Sequence, residues 1–251
     1  MKRKERHHLK ENEIAHSIAA ARGFIEPRTK QLTGLVVAVI IVVAAIAGIT
    51  VWRGQTDSKA RQMLAEALVT MNARVIPPTA AGQQPGDIPP AATMAAVGSF
   101  PSEAAKLTAA APKLKAAADA YPDSQPGMTA RYHYASALAA LGKNDEAVKA
   151  FDDVITRSGA ESLYGRMSKL GKADTQMRAG QVDAAIATWK ELAASTDDSL
   201  PKDAILMELA RAYVVKGNQE EAKKTFTQLV DEHPTSPYSA EARTELQSIK
   251  G

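Results

Sequence analysis

From Gln31 to Trp52 the chain runs for 22 residues without a charge, between Lys30 and Arg53. Leu35 to Ile49 is an unbroken series of Val, Ile, Ala and Gly after its first leucine. A helix of that length reaches about 33 Å and crosses a hydrocarbon core of about 30 Å. Val and Ile favour strands in water, but in lipid the backbone must satisfy itself, and a single segment does so only as a helix. No face of the run is polar, which argues against a core helix of a soluble domain. Ala45-Ile46-Ala47 has the small residues of a leader cleavage site, yet about 30 polar residues precede the run and it exceeds a leader's apolar length. The expectation is a permanent transmembrane helix over 31–52, with Trp52 at the interface.

Charge orients it. Residues 1–30 carry eight Lys or Arg against four Glu, whereas residues 53–251 carry 23 basic and 24 acidic residues. The positive flank predicts a cytoplasmic N-terminus and an external C-terminal domain. The formal net charge of +3 therefore belongs to the tail, and no basic stripe in the large domain points to nucleic acid. The chain has no cysteine, so disulfides, thiol catalysis, thiolate metal sites and a lipidated cysteine are excluded.

Within the tail, Leu9, Ile14, Ile18, Phe24 and Ile25 fall loosely on one helical face, and Glu26-Pro27 breaks it. This suits a segment on the inner leaflet, a contact for a membrane partner, or a solvated tail that only sets topology. His7, His8 and His16 lack the carboxylate or thiolate spacing of a metal site. A second helix spans 57–74, with Met63, Leu64, Ala67, Leu68 and Met71 on one side, and with little to separate it from the membrane helix it reads as a stalk over 53–75. Six prolines and three glycines between 76 and 101 predict a flexible insertion. A helix follows from Ser102 to Tyr121-Pro122.

Three segments then align. Gly recurs at 142, 180 and 217, Ala at 147, 185 and 222, and an aromatic at Phe151, Trp189 and Phe226. Each glycine ends a helix with a left-handed residue. The small Ala lets the next helix approach closely, and the aromatic one turn later fills the gap to the following repeat. One such hairpin cannot bury its own face, so stacking is obligatory. The pattern resembles the tetratricopeptide repeat, with Pro234 in the last slot of the third copy and Gly159 and Asp197 in that slot of the other two. The resemblance covers 57–251. It implies that 57–74 and 102–121 form a divergent first hairpin, and that Ser236 to Ile249, with Tyr238, Ala242 and Leu246 inward, forms a capping helix. The predicted fold is all-α: one N-terminal transmembrane helix, then a tetratricopeptide-like α-solenoid over 102–251.

The order of parts, a charged tail, one membrane helix and an external tetratricopeptide domain, resembles the ancillary SecYEG translocon subunit family. That family shares its domain with a periplasmic cell-division coordinator. The resemblance implies a bacterial inner-membrane protein with a periplasmic repeat domain. Its implied partners are the SecYEG translocon, periplasmic chaperones and exported clients. The alternative is a scaffold for envelope assembly or cell division with a dedicated partner. The Pro-rich insertion departs from the pattern.

No phosphate loop, GxSxG, HExxH or metal-spaced cluster occurs. His133 and His233 read as packing or surface histidines, and Asp152-Asp153 and Asp197-Asp198 as solvated helix-end charges. No enzyme, cofactor or metal is expected, and binding is the expected task. Tetratricopeptide stacks line their groove with the first helix of each pair. Counting back from the turn glycines gives Tyr132 and Ser136, then Leu170, Asp174 and Met177, then Met207, Arg211 and Val214. Met128, Met167, Met177 and Met207 on these helices suit either a tolerant apolar groove or a core filling. Ala44-xxx-Gly48 is a spacing at which two membrane helices pair, a homodimer contact.

Overall fold

The computed structural model describes residues 29–76, 98–195 and 199–249. The tail with its amphipathic segment and histidines, most of the Pro-rich insertion, and Asp197-Asp198 lie outside the described residues. So does the side chain of Trp52.

Nine helices occur among the described residues: α1 Thr29–Met71, α2 Glu103–Ala120, α3 Gln125–Ala140, α4 Asn144–Ser158, α5 Leu163–Arg178, α6 Val182–Ala194, α7 Lys202–Lys216, α8 Gln219–Glu232 and α9 Ser239–Ile249. The chain divides into two units, one ending at Gln55 and the other beginning at Thr56. In the first unit, α1 carries bare apolar side chains on every side, Val37, Ile41, Ile46 and Ile49 among them. It is long and apolar enough to cross a membrane by length and composition. No break separates the two helices expected over 31–52 and 57–74: α1 is one helix of 43 residues, because Gly54 alone lowers helix propensity without ending a helix.

In the second unit, consecutive helices from α2 to α9 pack as hairpins. The inward positions of the second helices repeat: Ala110-Leu114-Ala117, Ala147-Phe151-Val154, Ala185-Trp189-Leu192 and Ala222-Phe226-Leu229 are all buried. Burying one large side chain of this kind contributes about 1.5–3 kcal/mol. Facing them, Ala135, Ala173 and Ala210 on the first helices are each fully buried, which brings the helix axes close. From Thr56 onward α1 supplies the first helix of the first hairpin: Ala67 packs with Leu107, Ala110, Ala111 and Leu114 of α2. Lys113 Nζ donates to Thr70 Oγ1 at 2.9 Å.

The turns are built as their residues require. Gly142, Gly180 and Gly217 have φ of 72°, 74° and 77°, the left-handed conformation that a helix end demands. At the other end of the hairpins a Ser-x-x-Gly motif recurs. Ser124 and Ser162 accept from the amides of Gly127 and Gly165, each at 3.0 Å. Each also donates back to the preceding turn, at Tyr121 O and Gly159 O. The capping helix begins at Ser239, three residues after its expected start, because Ser236-Pro237-Tyr238 makes the turn into it. Ala242 is fully buried, with Tyr238 and Leu246 packed against the same cluster. The ends of the Pro-rich insertion are tied by backbone bonds from Ile76 N to Phe100 O and from Phe100 N to Arg74 O, at 2.9 and 2.8 Å.

Candidate functional site

The first helices α3, α5 and α7 share one register. Tyr132, Leu170 and Met207 each stand ten residues before their turn glycine, and Ser136, Asp174 and Arg211 each six before. Met177 and Val214 stand three before theirs. The repeated register places these residues at equivalent positions in successive hairpins.

Their surroundings differ. Tyr132 is half-buried, with its ring centroid 6.0 Å from Tyr164, 5.7 Å from His133 and 6.2 Å from Phe151. Thr129 Oγ1 and Tyr164 Oη share a hydrogen bond at 2.6 Å, joining the first helices of two successive hairpins. Burial holds the His133 imidazole below its ordinary pKa, so it is neutral at pH 7. Ser136 is half-buried, and its hydroxyl donates to Tyr132 O at 3.0 Å. Leu170 and Met177 are partly buried against the core of the last two repeats. Asp174 is exposed and pairs with Arg178 at 3.3 Å. Val214 is 42% exposed, beside Val215 at 63%.

Met207 is a correction. It is 0% exposed and shares its cluster with Ala242 of α9, so it fills core and is closed to a ligand. Its thioether stem fits an irregular interior as readily as a surface. Arg211 stands in the expected row but is already engaged, with Glu208 at 2.5 Å and Glu241 of α9 at 2.6 Å. Ion pairs of this row thus neutralise one another. The remaining side chains of the row are apolar or aromatic: Tyr132, Leu170, Met177 and Val214.

Sequence reasoning missed a second recurring feature. Arg131 and Lys169 stand 38 residues apart, and 22 residues after each lies a carboxylate, Asp153 and Glu191. Both cations are buried. Arg131 pairs with Asp153, lies 3.8 Å from Asp119, and donates to Ala118 O at 3.0 Å. Lys169 Nζ lies 2.5 Å from Glu191 and 3.3 Å from Glu161. Burial opposes the charge on Lys169, but hydrogen bonds and charge from Glu191 and Glu161 outweigh it and raise its pKa. For Asp153 burial likewise acts upward, yet hydrogen bonds from Arg157 and the charge of Arg131 hold the carboxyl below the ordinary range. Asp153 is therefore not a merely solvated helix-end charge, and neither is Asp152, which takes Lys172 at 2.6 Å. Extending the repeat alignment upstream of Ala135 and Ala173 would have exposed the pattern.

Comparison with known proteins agrees with this geometry. The tetratricopeptide repeat family model matches residues 102–162 and 170–237, together just over half of the chain. Among solved structures, the chain is similar to a kinesin light chain-type protein of Podosopora anserina with nearly identical TPR-like repeats. That likeness has 21% identity and a TM-score of 0.50, and covers 57% of this chain and 77% of that one. A single-residue variant of the same Podosopora anserina protein gives the same values. A weaker likeness, with 19% identity and a TM-score of 0.44, joins 58% of this chain to 86% of MamA 41-end from Desulfovibrio magneticus RS-1. No curated protein matches the chain. By the family match and the three aligned hairpins, the chain belongs to the tetratricopeptide repeat family, whose repeats serve as scaffolds for protein–protein interaction.

Proposed function

We propose that the protein is a membrane-anchored scaffold that takes extended or partly unfolded polypeptide segments on the first-helix face of its repeats. The observation that carries the binding reading is the row at Tyr132, Leu170, Met177 and Val214, apolar or aromatic side chains ten or three residues before their turn glycines, with the neighbouring charges paired among themselves. Such a row buries alternate apolar side chains of a guest without selecting a charge. The apolar run of α1 supports anchoring. The excess of basic residues before it supports a cytoplasmic N-terminus and external repeats. In that setting the resemblance of layout favours work beside the Sec translocon, with guests that have just been exported and are passed to periplasmic chaperones. No catalytic step enters the proposal.

Two measurements test it. The full chain should resist carbonate extraction from membranes, with its repeats digested by protease only from the outer side. Co-purification should recover translocon subunits. Recovery of one recurring division or wall-assembly protein instead would move the function to envelope assembly, and extraction of the chain by carbonate would refute the anchor.

A further inference from the structure

The stack is closed at one end and open at the other. Val69 of α1, two residues after the buried Ala67, is 74% exposed. The equivalent places after Ala135, Ala173 and Ala210 hold Ala137, Thr175 and Ala212, which are 2%, 0% and 0% exposed. Ala137 packs with Ala67, Leu107, Ala110 and Leu114 of the preceding hairpin. Among the described residues no helix precedes α1, and Gln62, Ala65, Glu66 and Val69 are all exposed. At the other end α9 closes the stack by packing Ala242 inward.

The geometry points to a second copy of this chain as the cover, with the two α1 helices parallel and in register along Ser58, Gln62, Ala65, Val69 and Asn72. These five residues follow the alternating four-and-three spacing of a helix-pairing seam and all are exposed; Ala65 and Val69 supply its apolar centre, and Ser58, Gln62 and Asn72 are its polar flanks. Arg61 precedes the seam residue Gln62, and Glu66 follows the seam residue Ala65. In a parallel pair those flanking positions, five residues apart, face one another across the seam. Arg61 of each copy then meets Glu66 of the other, twice by symmetry. Their present contacts are weak local ones, Arg61 to Asp57 O at 3.2 Å and Glu66 to Gln62 at 3.4 Å. An antiparallel pair loses this match. The parallel direction rests on the anchoring proposed above, since two copies inserted alike must run alike.

The chain lacks cysteine, so Val69→Cys in the full-length protein, kept in membranes and mildly oxidised, gives an unambiguous readout. The expected product is a disulfide-linked species of twice the chain mass. Lys149→Cys, on the exposed side of α4, should give none above background. Arg61→Glu should weaken the Val69→Cys crosslink about fivefold or more, and Glu66→Arg in the same chain should restore it. Equal crosslinking at Lys149 and Val69, a crosslink to another protein only, or no rescue by the charge swap would overturn the pairing. Carbonate extraction of the same samples reads anchoring separately: an extractable protein that still crosslinks at Val69 keeps the pair and loses the anchor.

Discussion

The ring of Phe151, on the second helix of one hairpin, lies over the bare backbone of Gly171, on the first helix of the next. A Cβ at Gly171 would come within 2.5 Å of Phe151 Cζ and 2.8 Å of Cε1. The recurring aromatic therefore fills the gap to the following repeat, and here it does so by taking the space of a missing side chain. Gly171→Ala should lower stability by about 1–3 kcal/mol despite alanine's better helix propensity, because the ring must move. Urea unfolding of the single variant, and of Gly171→Ala with Phe151→Leu, checks this: the second change should recover part of the loss.

The cation at Lys169 is buried while its partners Glu161 and Glu191 are largely exposed. Removing the carboxylates strands an ammonium in the interior, whereas removing the lysine returns two carboxylates to water. Glu161→Gln with Glu191→Gln should cost about 1–3 kcal/mol, and Lys169→Met should lie near neutral or be stabilising. Thermal unfolding of both variants decides it.

Asp153 gives the acid limb. Its folded pKa is held below the ordinary value, so its contribution is present above the usual carboxylate range and is lost as pH falls through the folded pKa. The stability gap between the native chain and Asp153→Asn should be full near pH 7 and should close as the pH drops below about 4. Melting curves of both proteins from pH 7 to pH 3 measure it.

Two residues from the expected binding row should behave differently. Met207→Ala removes a fully buried side chain and should cost about 2–5 kcal/mol. Val214→Ala, on a side chain 42% exposed, should stay within about 0.5 kcal/mol. Chemical unfolding separates the two roles.

Much of this was legible in the sequence, for physical reasons. Gly142, Ala147 and Phe151 recur because turn, close approach and gap filling are local demands that each hairpin repeats. The continuity of α1 was legible too, since only Gly54 stands between the apolar run and the stalk, and a lone glycine does not end a helix. Gly171 reads as a weak helix former, and only the ring stacked on it explains it. The burial of Arg131 and Lys169 was not legible, because it depends on carboxylates 22 residues on, across a turn. Met207 has the register of Tyr132 and Leu170, and register alone cannot say that the last of them is fully buried.

The proposed function stands on uptake of polypeptide by the first-helix row. A photoreactive residue at Val214, in the full-length protein in intact membranes, tests it most directly against the same residue at Lys149 on α4. Crosslinks to assorted other polypeptides are expected from Val214, and few from Lys149. Equal yields at the two positions, or none at Val214, would contradict it.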